Sequence, residues 1–260
     1  MSRKNSPEIE AILFDLDGVL YIGNNAIAGA AKTVNTLQQS GYRIAGITNT
    51  TTQPRRIIAD KLAGMEISIP ASAIYTPAAL ANRVIGDKKA ALFVRDSLQE
   101  EFEGIQQNPT RPDYIVMGDI GGEGYPPETL RTIFGMVMEG AQVLALHKNR
   151  FWQKPDGLHL DLGVFVAAIE YATGKDAVVL GKPATEFFHG ICRELHVKPE
   201  HTLMIGDDIE SDIGGARRAG LRTVLVQTGK HREAFVKQTG IRADIVIPSV
   251  ADLTDALSLL

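Results

Sequence analysis

The chain has 260 residues, which at about 150 residues per domain is roughly 1.7 domains, too many for one ordinary unit and too few for two. Its 44% hydrophobic and 22% charged residues describe a globular chain with a sizeable core and exclude disordered and fibrous architectures. A net charge of −4, from 27 basic and 31 acidic side chains, gives no footprint for a nucleic-acid backbone, so no nucleic-acid partner is expected. In chain order, Ala11 to Phe14 is an apolar run ending in acidic residues, which suits a buried strand. Ala30, Val34 and Leu37 predict a helix from about Gly29 to Gln39, with Gly41 placed to cap it. Arg43 to Thr48 reads as a second strand, and Pro54 opens a helix carrying Ile57, Ile58 and Leu62. Ile74 and Tyr75 read as a brief third strand, with Pro77 opening the next helix.

The middle of the chain repeats the alternation on a smaller scale. Strands are expected at Ala90 to Val94, Tyr114 to Met117 and Val143 to Leu146, and helices at Ser97 to Glu103, Pro127 to Glu139 and Asp161 to Ala172. From Ala177 the pattern becomes regular. Strands at Ala177 to Leu180, Thr202 to Ile205, Thr223 to Val226 and Asp244 to Ile247 are separated by helices at about Thr185 to Leu195 and Asp212 to Ala219, with a last helix from Val250 to Leu259. Strands alternating with helices imply βαβ units and an α/β fold with a parallel sheet. The single cysteine, Cys192, falls in an apolar helical pattern and reads as a buried free thiol. With no apolar signal-peptide core in residues 1–10 and no run of membrane-spanning length, a reduced, cytoplasmic chain with no membrane partner is expected.

Four signals fall just after predicted strands, where ligands gather in parallel sheets. Asp15-Leu16-Asp17-Gly18 offers two carboxylates for a hard cation or for nucleophilic attack; its plainer reading is a pair of solvated turn acids. Thr48-Asn49-Thr50-Thr51-Thr52 offers hydroxyls and backbone N–H groups to a phosphate, or simply caps a helix. Lys182, in Gly181-Lys182-Pro183, suits neutralising a phosphoryl oxygen, though surface lysines are common. Gly206-Asp207-Asp208-Ile209-Glu210-Ser211-Asp212 offers acids to complete a cation site, with Asp212 equally placed to cap the next helix. None decides alone. Together they supply a nucleophile, a cation site, phosphate ligands and a lysine, the inventory of phosphoryl transfer.

The run Leu13-Phe14-Asp15-Leu16-Asp17-Gly18-Val19-Leu20, with Thr48-Asn49, Lys182 and Gly206-Asp207 with Asp212, resembles the four motifs of the haloacid dehalogenase-like hydrolase superfamily. Most members are Mg²⁺-dependent phosphatases, and the resemblance spans essentially the whole chain. The long interval between Asn49 and Lys182 is similar to that of members carrying a large α/β cap, in the group related to para-nitrophenylphosphatase. His147 to Leu158 and Leu162 to Pro183 further resemble the branch that includes phospholysine phosphohistidine inorganic pyrophosphate phosphatase.

The resemblance implies a Rossmann-like core with helices on both faces, made of residues 1–80 and 178–260, with residues 81–177 as an inserted α/β cap. It implies Asp15 as nucleophile and Mg²⁺ ligand, and Asp17 as general acid and base that lends its backbone carbonyl to the metal. Thr48 and Asn49 would bind the phosphoryl group, Lys182 would hold it against Asp15, Asp207 would ligate Mg²⁺, and Asp212 would stand behind the ligands. Thr50 departs from the family, many capped members having a second asparagine there. The expected partner is a small phosphorylated substrate, and capped relatives often form homodimers. The alternative is a phospho-receiver or inactive phosphate-binding protein, which shares strand-end acids and a lysine. Against it, Asp17 lies where it can drive hydrolysis. Within the cap, His147-Lys148-Asn149-Arg150-Phe151-Trp152 is expected to be either a specificity loop or a strand with solvated cations.

Overall fold

Every residue of Ala11–Asp15 is buried, as a strand covered on both faces requires. It stands at the centre of a six-stranded sheet in the order Ile245–Ile247, Arg222–Val226, Thr202–Gly206, Ala11–Asp15, Arg43–Ile47, Ile74–Tyr75, with every pairing parallel. The structure is a computed structural model and describes residues 8–122, 124–154 and 157–257. Taken in chain order, the strands run outward in one direction from Ala11–Asp15 and then in the other from Thr202–Gly206. This is the doubly wound arrangement, and its reversal leaves a crevice outside the carboxyl ends of those two strands.

Alternation along the strands places helices on both faces. Ile12, Phe14, Val224 and Val226 share one apolar cluster with Val34 and Leu37 of the helix Ala30–Gln39 and with Leu253. Leu225, pointing the other way, packs with Ile209, Ile213 and Val236. The helix Ala30–Gln39 ends as expected: the Gly41 N–H donates to the Gln38 carbonyl (3.0 Å) and the Tyr42 N–H to that of Leu37 (3.2 Å), with Gly41 at φ +90°.

The contacts divide the chain into two units. One contains the described residues up to Thr48, Arg55–Tyr75, and the described residues from Lys182 on; the other contains Asn49–Pro54 and Thr76–Gly181. The second unit has its own parallel sheet, in the order Val178–Val179, Gln142–Ala145, Tyr114–Met117, Lys89–Phe93, Gln106–Gln107. Ile115 and Met117 pack with Ile133 and Val137 of the helix Pro127–Met138, while Val116 packs with Ala81 and Ile85 of the helix Pro77–Ile85. An antiparallel hairpin, Phe151–Lys154 with Gly157–Leu160, completes the unit's named strands.

Several local expectations change. The strand read at Ala177 to Leu180 is only Val178–Val179, and it joins the second sheet by pairing with Leu144 and Ala145. Leu180 follows it into the cluster with Leu144 and Leu146. By contacts the second unit takes in 76–181 and 49–54. Ser97 to Glu103 winds as a 3₁₀ helix, Asp96–Phe102. The turn after Thr202–Gly206 is wound wide as a π segment, Ile209–Gly214, before the short helix Gly215–Arg218. Among the described residues no helix is long and apolar enough to cross a membrane.

Candidate active site at the reversal of strand order

Asp15 ends its strand, and Asp207 directly follows the neighbouring strand Thr202–Gly206, so the parallel register brings the two to the same sheet edge. Both are buried, as are Lys182 and Asp212. Lys182 lies between the first strand and the π segment, with Nζ 2.7 Å from Asp15 Oδ1 and 2.7 Å from Asp212 Oδ1. It joins Pro183 through a cis peptide and leads into the helix Thr185–Glu194.

Asp212 holds the turn from behind. Its Oδ2 accepts the Asp207 N–H at 3.2 Å and the Asp208 N–H at 3.1 Å. Capping of the π segment falls to Asp208, whose Oδ1 accepts the N–H groups of Glu210 and Ser211 at 3.0 Å each. Gly206 is glycine because a Cβ there would stand 2.3 Å from that of Asp212.

Asp207 is the least satisfied acid of the cluster. Its Oδ2 accepts the Lys230 N–H at 2.6 Å, while its Oδ1 is buried with no hydrogen-bond partner among the described residues. Such an atom is costly unless something positive meets it. Oxygens of Asp15, Asp207 and Asp212 all lie within 4.8 Å of one another. Both Asp212 oxygens are already engaged, by Lys182 and by two N–H groups, which leaves Asp15 and Asp207 as the carboxylates able to face a cation.

The electrostatics say the same. Burial pushes the Asp15 carboxyl up, against the Lys182 charge and hydrogen bond that pull it down. Burial and then the Asp15 charge push Asp212 up to about 7, with Lys182 opposing. Asp207 is raised by burial despite the Lys230 N–H. Burial disfavours the Lys182 ammonium, but Asp15 and Asp212 outweigh it and hold the group above the usual lysine range. Three buried carboxylates face one buried ammonium, and the exposed Lys230 ammonium, which also acts on Asp15 and Asp207 and is shared with Asp208, still leaves a deficit of positive charge.

The remaining expected core residues are Asp17, Thr48 and Asn49. Asp17 is exposed, two residues beyond Asp15, and the N–H of Gly18 donates to the Tyr21 carbonyl at 2.7 Å. Thr48, just past the strand Arg43–Ile47, is buried and donates its N–H to Tyr75 O at 3.1 Å. Asn49 falls in the second unit, where a Cβ on Gly181 would come within 2.7 Å of its Oδ1. Lys148 does not stand free for an anionic ligand: its Nζ is 2.6 Å from Glu170 Oε2. His147 is buried, with Nε2 3.8 Å from Asp161 Oδ1. The side chains of Phe151 and Trp152 lie outside the described residues.

Sequence reading missed one contributor, Thr228-Gly229-Lys230, at the carboxyl end of Arg222–Val226. Thr228 Oγ1 donates to the Gly18 carbonyl, and Lys230 N–H holds Asp207. The same strand-end rule points to it, but the segment carries no carboxylate to draw attention.

The chain matches the haloacid dehalogenase-like hydrolase family over residues 12–107 and a HAD-hydrolase-like family over residues 179–253. It is 36% identical over 228 residues to haloacid dehalogenase-like hydrolase domain-containing protein 2 of Bos taurus, covering 87% of each chain. It is 34% identical over 258 residues to the phospholysine phosphohistidine inorganic pyrophosphate phosphatase of Xenopus laevis, covering 96% of this chain and 94% of that one. Among solved structures it is similar to a 4-nitrophenylphosphatase from Thermotoga maritima, with a TM-score of 0.86, 24% identity and coverage of 96% and 97%. NagD from E. coli K-12 gives a TM-score of 0.83 at 25% identity, with coverage of 94% and 98%.

Proposed function

Because the chain belongs to the haloacid dehalogenase-like hydrolase family, we propose that it is a Mg²⁺-dependent phosphatase that cleaves small phosphorylated compounds through an aspartyl-phosphate on Asp15. The observation that carries this reading is the buried Asp15–Lys182 pair, 2.7 Å apart, beside an Asp207 oxygen with no hydrogen-bond partner among the described residues.

The donor set suits a hard divalent cation: it is all oxygen, it is short of positive charge, and it contains Asp207 Oδ1, a buried oxygen with neither a hydrogen bond nor an ion pair among the described residues, whereas Asp212 Oδ1 has Lys182. Asp15, Asp207 and the backbone carbonyl of Asp17 are the residues proposed to hold Mg²⁺. Such an ion supplies charge neutralisation at the phosphoryl oxygens. Asp15 attacks phosphorus as the bond to the leaving oxygen or nitrogen breaks, and the Asp17 carboxyl gives that atom its proton. A water then attacks the aspartyl-phosphate, passes its proton to Asp17, and releases phosphate as the bond to Asp15 breaks. Lys182 neutralises charge on the transferring group and on Asp15, while Asp212 holds Lys182 and the Asp207 turn in place. Thr48 and Asn49 are proposed phosphoryl ligands.

The compounds in the relatives' names, 4-nitrophenyl phosphate, phospholysine, phosphohistidine and pyrophosphate, are the substrates we propose as candidates. We assign the choice among them to the second unit as a cap. Its own cavity of about 140 Å³ is lined by Asp119, Tyr125, His159, Asp161 and Phe165. The test is turnover of 4-nitrophenyl phosphate with Mg²⁺. Many cycles per protein, stopped by a chelator and restored by Mg²⁺, are expected; phosphate uptake without turnover would instead make it a receiver-like protein.

A further inference from the structure

Three observations converge on Thr228-Gly229-Lys230, to which neither the family motifs nor the reaction steps above give a role. First, Thr228 Oγ1 donates to the Gly18 carbonyl, tying the strand end at Arg222–Val226 to the loop that follows Asp15. The neighbouring Gly18 N–H donates to Tyr21 O at 2.7 Å. That N–H shares its peptide with the Asp17 carbonyl, so its bond turns the carbonyl to the opposite side of a planar unit. Second, the Lys230 N–H holds Asp207 Oδ2 at 2.6 Å and leaves Oδ1 as the oxygen without a partner. Third, the approach is close enough to require glycine on both sides. A Cβ on Gly229 would lie 2.0 Å from Asp207 Oδ2 and 2.6 Å from Gly18 Cα, and one on Gly18 would lie 2.1 Å from Asp207 Oδ2. Both glycines also have positive φ, +59° and +89°.

We propose that Thr228-Gly229-Lys230 is a positioning clamp that presets two cation ligands, the Asp207 carboxylate and the Asp17 carbonyl, through a side-chain hydroxyl, a close glycine contact and one main-chain N–H. The proposal rests on the cation site described above. Groups that orient metal ligands without touching the metal typically change affinity 10- to 100-fold when removed. The Lys230 side chain plays no part in the clamp. Its Nζ, 3.6 Å from Asp208 Oδ2, is a like charge to the cation.

The experiment is calorimetric titration of the metal-free, full-length protein with Mg²⁺ alone. Thr228→Val is expected to weaken binding by about tenfold, Thr228→Ser to restore it, and Gly229→Ala to weaken it further. Lys230→Met, which keeps the N–H, is expected to bind no more weakly than wild type. In turnover, Thr228→Val should recover the wild-type kcat at high Mg²⁺ with a raised half-saturation, a split that general loosening of the fold would not give. Wild-type Mg²⁺ affinity in both Thr228→Val and Gly229→Ala would overturn the clamp. A wild-type protein that takes up no Mg²⁺ would overturn the cation site, and the clamp with it.

Discussion

The two units are built alike and used differently. Each has a parallel sheet with helices on both faces, and in each the chain reverses its direction of travel across the sheet. In the second unit the reversal falls between Lys89–Phe93 and Tyr114–Met117. There Arg95 and Asp119 meet at 2.7 Å, and the other Asp119 oxygen accepts the Gly121 N–H at 2.7 Å. One cation faces one anion and both side chains are partly exposed, so the charges balance even though Arg95 Nε is buried without a hydrogen-bond partner among the described residues. At the first unit's reversal, three buried carboxylates share one ammonium and one oxygen is left over. The architecture supplies a crevice in both cases; the charge imbalance is what distinguishes the first, and the proposed chemistry rests on it.

Removing the cation from each crevice tests that contrast. Lys182→Met leaves Asp15 and Asp212 buried beside each other without a counter-charge. A loss of about 3–5 kcal/mol of stability is expected in urea titration at neutral pH. Arg95→Ala removes a pair exposed by 37% and 26%, and about 1 kcal/mol or less is expected. Equal losses from the two variants would erase the difference between the two crevices.

A smaller effect should appear in the second unit as pH falls. Burial lowers the pKa of His147 from its ordinary 6.5, with Asp161 and then Asp119 opposing. Below 6.5 the unfolded chain binds a proton at this ring that the folded chain refuses, so the unfolded state gains. Stability from this residue is present above 6.5 and is lost as pH drops from there to the folded pKa. Melting temperatures from pH 7.5 to 5 should fall less steeply in His147→Gln than in wild type. A steeper fall in the variant would reverse the sign and contradict the account.

What could be read from the sequence follows from how each feature is encoded. Apolar runs ending in acids announced the strands before Asp15 and Asp207, because burial and the strand-end position are both local patterns. Gly41 announced a helix end for the same reason. The pairing of Val178–Val179 with Leu144 and Ala145 is not legible in the sequence, since an apolar run does not say which neighbour it will pair with. Lys148 looked available to a ligand because its partner, Glu170, is 22 residues away and only the fold brings them together. Thr228-Gly229-Lys230 stayed hidden because it acts through a main-chain N–H, a hydroxyl and the absence of a Cβ. None of these looks like chemistry in one-letter code.

The central claim is that Asp15 carries the phosphoryl group. It is tested most directly by rapid acid quench of the enzyme during turnover of 4-nitrophenyl phosphate with Mg²⁺, followed by peptide mass spectrometry. A phosphoryl adduct on Asp15 is expected, absent from Asp15→Asn, whose turnover should fall by about four orders of magnitude or more. An adduct on another residue, or undiminished turnover in Asp15→Asn, would contradict the account.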